Sequence, residues 1–388
     1  MRAFLSEFFS GSLLKKQCGT LIVLSAVVGA GTTFVCAGPA QADVATVTVL
    51  DRGEPFEAMT HHAGILWVGK SRANFSSSYS LEAYAGKAMI GKVTFPHSAT
   101  YVHPYGQNSV IVVGTGYQPN LTHYTIVEHN GGRLTTRTTQ IPMDAWARQW
   151  LGTVNGREYF TDPGGNPADS DNPNLTQPAQ TFFTMSAGGR PRYLTTRLRL
   201  PLGGVKLGNV FYVYNAESIG DPRSNIYRLD PASGQIKPVF SEFRNGISGV
   251  ALVPGANLIA AIESGSGQMV LVNPADHSVV GAVNIEGSPR SIAAFGKCMI
   301  VGSRDTNSVT AIDVSVPSTP TVVAVAAVGL SQDEFQLLDR VSADVVTGQV
   351  FARSNFPCNP MIQTCDKDWN RVVVFTGDDA QKMAAGCR

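Results

Sequence analysis

The chain has 388 residues, of which 43% are hydrophobic and 15% are charged, and its formal net charge is +1. Such a balance supplies no basic surface for phosphate groups and argues against a nucleic-acid partner. The 39 glycines and 22 prolines, together with apolar residues in short runs, favour a turn-rich all-β protein over a helical one.

The first 42 residues have the pattern of a secretory signal peptide. Lys15 and Lys16 precede an uncharged apolar run over 21–37, and the small-residue motif Ala-Gln-Ala follows at 40–42. Glycine, serine and threonine dilute the run too much for a membrane-spanning anchor. We therefore predict cleavage before Asp43, a periplasmic or secreted location, and no integral membrane segment after cleavage.

Beyond the cleavage point, short β-branched apolar runs alternate with turns rich in Gly, Pro, Asn and Asp. A first strand, Ala45–Leu50, stands alone. The later runs group into seven successive units: 65–69 with 80–84, 109–114 with 122–127, 158–161 with 181–185, 210–214 with 225–240, 249–255 through 278–284, 291–295 through 321–325, and 349–353 with 371–375. The third unit carries a long insertion at about 162–180.

The clearest units contain four strands in roughly forty residues, which is the period of a β-propeller blade. The sequence therefore predicts a single domain over 43–388, a seven-bladed β-propeller of four-stranded antiparallel blades, with six or eight blades as the alternatives. The last unit stops after its third strand. We expect the N-terminal strand to pair with Arg371–Phe375 and close that blade, because closure removes the exposed sheet edges.

Two of these units resemble the YVTN-type repeat of exported bacterial propellers of the YncE type. The resemblance lies in Val253–Ile262, Met269–Val283 and Asn284–Arg290: a turn after the inner strand, a second strand ending in a small residue, a third ending in Asp or Asn, and a Gly-x-Pro signature. It covers 209–328 well, 65–127 less well, and 143–200 poorly. It implies a fold similar to that of quinoprotein amine dehydrogenase heavy chains, and no set of active-site residues.

The predicted mature chain keeps four cysteines in a compartment that oxidises thiols, which favours disulfides. Cys358 and Cys365 are close enough in sequence to close a local loop, and both belong to the predicted last blade, 334–388. This pairing would leave Cys298 to pair with Cys387. Four cysteines allow three pairings, and this one is preferred. Zinc binding is less favoured, because the spacing of metal-ligand motifs is absent.

In a propeller, the loop leading into each inner strand and the loop between the second and third strands open at one end of the central channel. We call them the mouth loops. The predicted mouth-loop residues are His61, His62, His103, Arg244, Glu263, Arg290, Arg304, Asp305 and Arg353. One interpretation is a solvated surface with weak ion pairs. The more specific one is a polar funnel whose arginines bind an anionic or polar ligand or a partner's loop.

Two metal hypotheses accompany this site, although no cofactor is predicted. His61 and His103 belong to a group of histidines near the first two blades, and imidazoles bind zinc or copper. The insertion contributes Asp162, Asp169 and Asp171, whose oxygens suit calcium. Neither set has the fixed spacing of a known metal motif, so hydrogen bonding to loops and ordinary turn chemistry are favoured over metal binding.

Known motifs of hydrolases, metalloproteases and nucleotide-binding enzymes are absent from the sequence. We therefore favour an exported binding or scaffold protein that presents a polar channel face to a partner protein or small polar ligand. The alternative is an enzyme or enzyme subunit, either a lactonase-like hydrolase with a channel metal or the heavy chain of a quinoprotein dehydrogenase. Arginine and asparagine dominate the predicted mouth loops, which favours binding over metal-dependent hydrolysis.

Overall fold

The protein folds into seven β-sheets arranged as a β-propeller, with one short C-terminal helix. The computed structural model describes residues 44–45, 47–52, 56–70, 79–115, 122–141, 149–161, 182–186, 189–195, 201–218, 221–328, 337–355 and 371–388. The predicted signal peptide and the insertion at about 162–180 lie outside these residues. The predicted count of seven four-stranded antiparallel blades is confirmed.

Strands follow chain order from the inner to the outer edge in the first six blades. Blade 1 contains β3 (Phe56–His62), β4 (Ile65–Lys70), β5 (Tyr79–Ala85) and β6 (Ala88–Phe95). Blade 2 contains β7 (Tyr101–Tyr105), β8 (Ser109–Thr115), β9 (Thr122–Asn130) and β10 (Arg133–Ile141). Blade 3 contains β11 (Gln149–Val154), β12 (Arg157–Thr161), β13 (Phe182–Met185) and β14 (Arg192–Thr195). Blade 4 contains β15 (Pro201–Leu207), β16 (Val210–Ser218), β17 (Asp221–Leu229) and β18 (Ile236–Phe243).

The second half of the ring is built in the same way. Blade 5 contains β19 (Ile247–Leu252), β20 (Ile259–Glu263), β21 (Gln268–Asn273) and β22 (Ser278–Asn284). Blade 6 contains β23 (Pro289–Phe295), β24 (Cys298–Ser303), β25 (Ser308–Asp313), β26 (Thr321–Val328) and the short β1 (Val44–Ala45). Blade 7 contains β27 (Leu337–Asp344), β28 (Gln349–Asn355), β29 (Arg371–Phe375) and β2 (Val47–Arg52).

The N-terminal strand closes the ring. β2 pairs antiparallel with β29, with Val47 opposite Phe375, so the predicted pairing beside Arg371–Phe375 is confirmed. The strand begins at Val47 and ends at Arg52, slightly later than predicted. The two residues of β1 pair in parallel with the end of β26, which the sequence did not predict. The first described residues therefore join blade 6 to blade 7.

The hydrophobic core lies between neighbouring blades. β20 and β24 are buried along their whole length, whereas the outer strand β22 is largely exposed. Ile262 and Leu271 of blade 5 pack in one cluster with Met299 and Val301 of blade 6. Because the middle strands are covered on both faces, they appear in the sequence as continuous apolar runs without alternation.

Small residues at the ends of second strands have a steric reason. A Cβ at Gly69, near the end of β4, would lie 2.8 Å from the backbone oxygen of Ala99 in the segment leading into blade 2. A Cβ at Gly302, near the end of β24, would collide with Leu338 of blade 7. Glycine therefore allows the mouth-side ends of the blades to approach closely.

Six of the seven inner strands carry a β-bulge near their first residues, where they pair with the second strand. In the described register of β7, pairing with β8 is regular. The extra residues are Glu57, Leu151, Leu202, Ser248, Arg290 and Asp339. Since a bulge bends its strand and redirects side chains, the inner strands depart from regular alternation at the mouth of the channel.

The chain ends in helix α1 (Gly377–Cys387), which the sequence analysis missed. Met383 and Cys387 are its buried residues, and both pack into the core cluster of blades 6 and 7. Cys387 forms a disulfide with Cys298 at the start of β24, which confirms this predicted pair. Cys358 and Cys365 lie outside the described residues. Among the described residues, no helix is long and apolar enough to span a membrane.

Candidate functional site

A cavity of about 490 Å³ occupies the central channel, and the inner strands of all seven blades contribute to its wall. This volume falls within the usual range for small-molecule sites. The lining includes Met59, His103, Gln149, Leu202, Ser248, Arg290 and Arg340. The site is therefore assembled from residues that are far apart in sequence and meet only because the ring closes.

Two arginines give the cavity a positive charge. Arg290 is the bulge residue of β23, and Arg340 lies on the neighbouring inner strand β27. The described residues that line the cavity include no aspartate or glutamate. The Nε atom of Arg290 is buried and has no hydrogen-bond partner. Arg290 was predicted at this face, whereas Arg340 was not identified from the sequence.

Hydrogen bonds between inner strands fix the positions of these two arginines. The backbone N–H of Val341 donates to Ser291 Oγ at 3.0 Å, so Arg290 and Arg340 each immediately precede a residue of this bond. On the next interface, the backbone N–H of His61 donates to Ser342 Oγ at 2.8 Å. Because these hydroxyls bond to the backbone of the next blade, they hold the inner strands of blades 6, 7 and 1 in one register.

The cavity is also lined by His103. Its ring lies against Tyr101, with centroids 6.3 Å apart and planes 4° from parallel, and 6.2 Å from the ring of Trp150. Burial, with a further contribution from the positive charge of Arg340, lowers the pKa of His103 to about 4. Its Nε2 atom is buried without a hydrogen-bond partner. The imidazole is therefore neutral at neutral pH and offers a polar atom without adding charge.

The prediction that His61 and His62 lie in a mouth loop is wrong. They end β3, so they stand at the opposite end of the inner strand from the mouth. His61 Nε2 lies 3.5 Å from a carboxylate oxygen of Asp344, and its ring stacks on Phe351 at 5.7 Å. His62 Nε2 lies 3.1 Å from the backbone oxygen of Gly106. Both contacts join neighbouring blades away from the mouth.

The remaining predicted residues surround the mouth without lining the cavity. Arg244 is exposed in the loop before β19, while Arg304 and the exposed Asp305 occupy the turn after β24. Arg353 is buried on β28, directly opposite Arg340 in the strand register. The carboxylate of Glu263 is also buried. It accepts hydrogen bonds from the backbone N–H of Asn245 and the hydroxyl of Ser266, so it stabilises the loops locally.

A second buried polar cluster, between blades 2 and 3, is internally satisfied. The carboxylate of Glu158 accepts hydrogen bonds from Tyr105 at 2.9 Å, Trp150 at 2.6 Å and Thr153 at 2.8 Å. Burial, together with the adjacent Glu158 carboxylate, raises the pKa of Tyr105 to about 12. All three donors are engaged, so the cluster orders the blade interface and holds Trp150 beside His103.

The described residues contain no group of three or more His, Cys, Asp or Glu side chains placed to hold a metal ion. Asp162, Asp169 and Asp171 of the insertion lie outside the described residues, so the calcium hypothesis stays a prediction. Within the described part of the channel, His103 is accompanied by arginines rather than by further metal-ligand side chains.

Comparison with solved structures shows the fold. The chain is similar to hydrazine synthase of Kuenenia stuttgartiensis, with 13% identity, a TM-score of 0.59, and coverage of 89% of this chain and 99% of that chain. It is similar to the WD40 repeats of RRP9 at 8% identity and a TM-score of 0.58, covering 86% and 99%. U3-55K gives 7% identity and a TM-score of 0.59, covering 87% and 100%. No protein-family profile and no curated protein matches the sequence. Such low identities establish the propeller fold alone.

Proposed function

We propose that this protein is an exported β-propeller that acts by binding, and that the mouth of its channel holds a small polar ligand or a loop of a partner protein. The observation that carries this proposal is the cavity of about 490 Å³, whose lining combines two arginines, a neutral histidine and several hydroxyl groups. Concave sites with a few convergent polar groups are the usual form of ligand sites. The structures of hydrazine synthase and of the RRP9 WD40 repeats, which are similar in fold, provide an analogy for a propeller that serves as a scaffold.

Export is supported by three features of the chain. The N-terminal segment has the composition of a signal peptide, and the resemblance to YVTN-type repeats points to exported propellers. The disulfide between Cys298 and Cys387 requires an oxidising compartment to form and persist. The periplasm or the outside of the cell would provide that compartment.

Site-specific photo-crosslinking in the native cell tests where binding occurs. A photoreactive amino acid replaces Asp305, which is exposed in the mouth loop of blade 6, and in a control chain it replaces Val279, which is 48% exposed on the outer strand of blade 5. We expect a defined adduct from the Asp305 position and none from the Val279 position. Native mass spectrometry of the purified protein covers the small-ligand case, with an expected non-covalent adduct that denaturation releases.

An enzyme would give a different outcome. Metal at one equivalent per chain, together with turnover of lactones that stops when the metal is removed, would replace the binding proposal with the lactonase-like alternative. Two outcomes would contradict binding at the mouth: no adduct in either experiment, or equal crosslinking at both photoreactive positions together with no adduct in native mass spectrometry.

A further inference from the structure

We propose that the channel cavity is a binding site for a small organic oxyanion, whose carboxylate or phosphate group is held by Arg290 and Arg340. This inference rests on the proposed function, and it names the chemistry of the ligand. The ligand would enter from the mouth and place its anionic group between the inner strands of blades 6 and 7.

The charge of the cavity is the first reason. Elsewhere in the described part of the chain, two buried or half-buried lysines have carboxylate partners: Lys70 lies 3.1 Å from Glu82, and Lys297 lies 3.2 Å from Asp313. In the cavity, Arg290 and Arg340 are only partly exposed, and no described lining residue carries a negative charge. Both guanidinium groups are therefore placed to bind an anion that enters the cavity.

Unsatisfied hydrogen-bonding atoms are the second reason. Arg290 Nε and His103 Nε2 are buried and have no partner among the described protein atoms. Most buried polar side-chain atoms in folded proteins are hydrogen-bonded, so these two atoms mark positions where a ligand, an ion or water can bind. The Nε–H of arginine is a donor only, and it matches the oxygens of carboxylates and phosphates.

The backbone holds the two arginines in place. The bond between the Val341 N–H and Ser291 Oγ fixes the two strands beside each other, one residue beyond each arginine. Arg290 is the unpaired residue of a β-bulge, and bulges frequently redirect side chains at functional sites. Because both arginines stand on strands in a fixed register, the backbone loses little conformational freedom on binding, and the cost that remains is the ordering of the two side chains.

The rest of the lining defines the ligand class. Val102, Ile247 and Ile292 provide apolar surface beside the hydroxyl of Ser248 and the amide of Gln149. A cavity of about 490 Å³ accommodates a metabolite-sized molecule rather than a folded domain. The wall therefore suits a compact molecule with one or two oxyanion groups and a short carbon skeleton.

Isothermal titration calorimetry on the full chain, as purified from its own cells, provides the test. The probes are succinate, citrate, inorganic phosphate and glycerol 3-phosphate at constant ionic strength, with sodium chloride and glycerol as controls. We expect one saturable site for at least one probe, and the ranking of the two carboxylates against the two phosphates identifies the anionic group. Glycerol and chloride should give no saturable heat.

Variants locate the site. Arg340→Gln and Arg290→Gln should each weaken binding at least tenfold. Arg340→Lys, which keeps the charge but loses the planar fork, should also weaken it. Arg133→Gln is the matched control, since it removes the same charge from an exposed position on the outer strand β10, outside the cavity, and it should change affinity less than twofold. A cooperative urea transition establishes that each variant is folded.

Wild-type protein provides a second measurement that does not depend on variants. Crystals soaked in sodium selenate should show an anomalous peak between the Arg290 and Arg340 side chains. Equal loss of affinity in Arg133→Gln and Arg340→Gln, or no saturable binding together with no selenate in the cavity, would overturn the inference. If the photoreactive residue at position 305 still captures a partner in that case, the anion site is wrong while the proposed binding function stands.

Discussion

Removing the disulfide between Cys298 and Cys387 should destabilise the protein by several kcal/mol. The bond joins residues separated by 89 positions, so it closes a long loop in the unfolded chain. Chain entropy for a loop of this length corresponds to about 4 to 5 kcal/mol, and strain or residual structure reduces the measured value. The double variant Cys298→Ala with Cys387→Ala should therefore lose about 2 to 4 kcal/mol of unfolding free energy.

Urea unfolding of the oxidised wild type and the double variant measures this loss, and wild type reduced with dithiothreitol is the control. The effect should be largest at α1, because Cys387 and Met383 are the buried residues that hold the helix against blades 6 and 7. Lys382 lies in this helix with 64% of its side chain exposed. Trypsin should therefore cut after Lys382 faster in the double variant. Identical urea midpoints and identical cleavage rates would refute the reasoning.

Three further predictions concern the framework of the ring. Burial lowers the pKa of His97 in the folded protein to about 4, against 6.5 in the unfolded chain, so the unfolded state binds the proton more strongly. The unfolding free energy should therefore fall by up to about 3 kcal/mol as the pH drops from 6.5 to 4. Thermal unfolding at several pH values should show a smaller fall for His97→Gln than for the wild type. Ser342→Ala leaves the backbone N–H of His61 without its acceptor, so it should lower the unfolding free energy measured in urea by about 1 to 2 kcal/mol. Ser342→Thr keeps a hydroxyl acceptor and should retain most of the wild-type unfolding free energy. Gly114→Ala places a Cβ against the backbone oxygen of Ser98 and should cost about 2 kcal/mol or more, and an unchanged urea midpoint would contradict this packing.

The sequence was most informative where blades are covered on both sides. Within the fifth and sixth units, the apolar runs predict strands over 268–273, 278–284, 298–303 and 308–313. These are the bounds of β21, β22, β24 and β25 in the structure. Three of these strands are continuous apolar runs, because neighbouring blades bury both faces, and turn residues mark their ends. The closing pair of β2 and β29 was predictable because the last unit lacks a fourth strand and an open edge is unfavourable.

The inner strands were harder to place, since one side borders the channel rather than another blade. β3 contains Glu57, Thr60, His61 and His62, and its polar composition made the histidines look like part of a loop. Bulges near the first residues of six inner strands also interrupt the alternation that marks a half-buried strand. Helix α1 was missed for a related reason: it is short, and a disulfide and two buried residues hold it in place instead of a long apolar stripe.

The charge of the channel depends on the position of single residues in separate blades. His103, Arg290 and Arg340 come from β7, β23 and β27, and all three line the cavity. The positive charge of Arg340 contributes to the lowered pKa of His103, so the ring brings these two residues within electrostatic reach. A repeat pattern describes one blade at a time, so it predicts how each blade packs but not which side chains meet at the axis. Arg340 follows Leu337, Leu338 and Asp339 near the beginning of its strand, without any local motif. The hydrogen bond between Ser291 and Val341 helps to align it with Arg290. The specificity of such a site can therefore change through one substitution on one inner strand while the packing between blades, and with it the fold, remains intact.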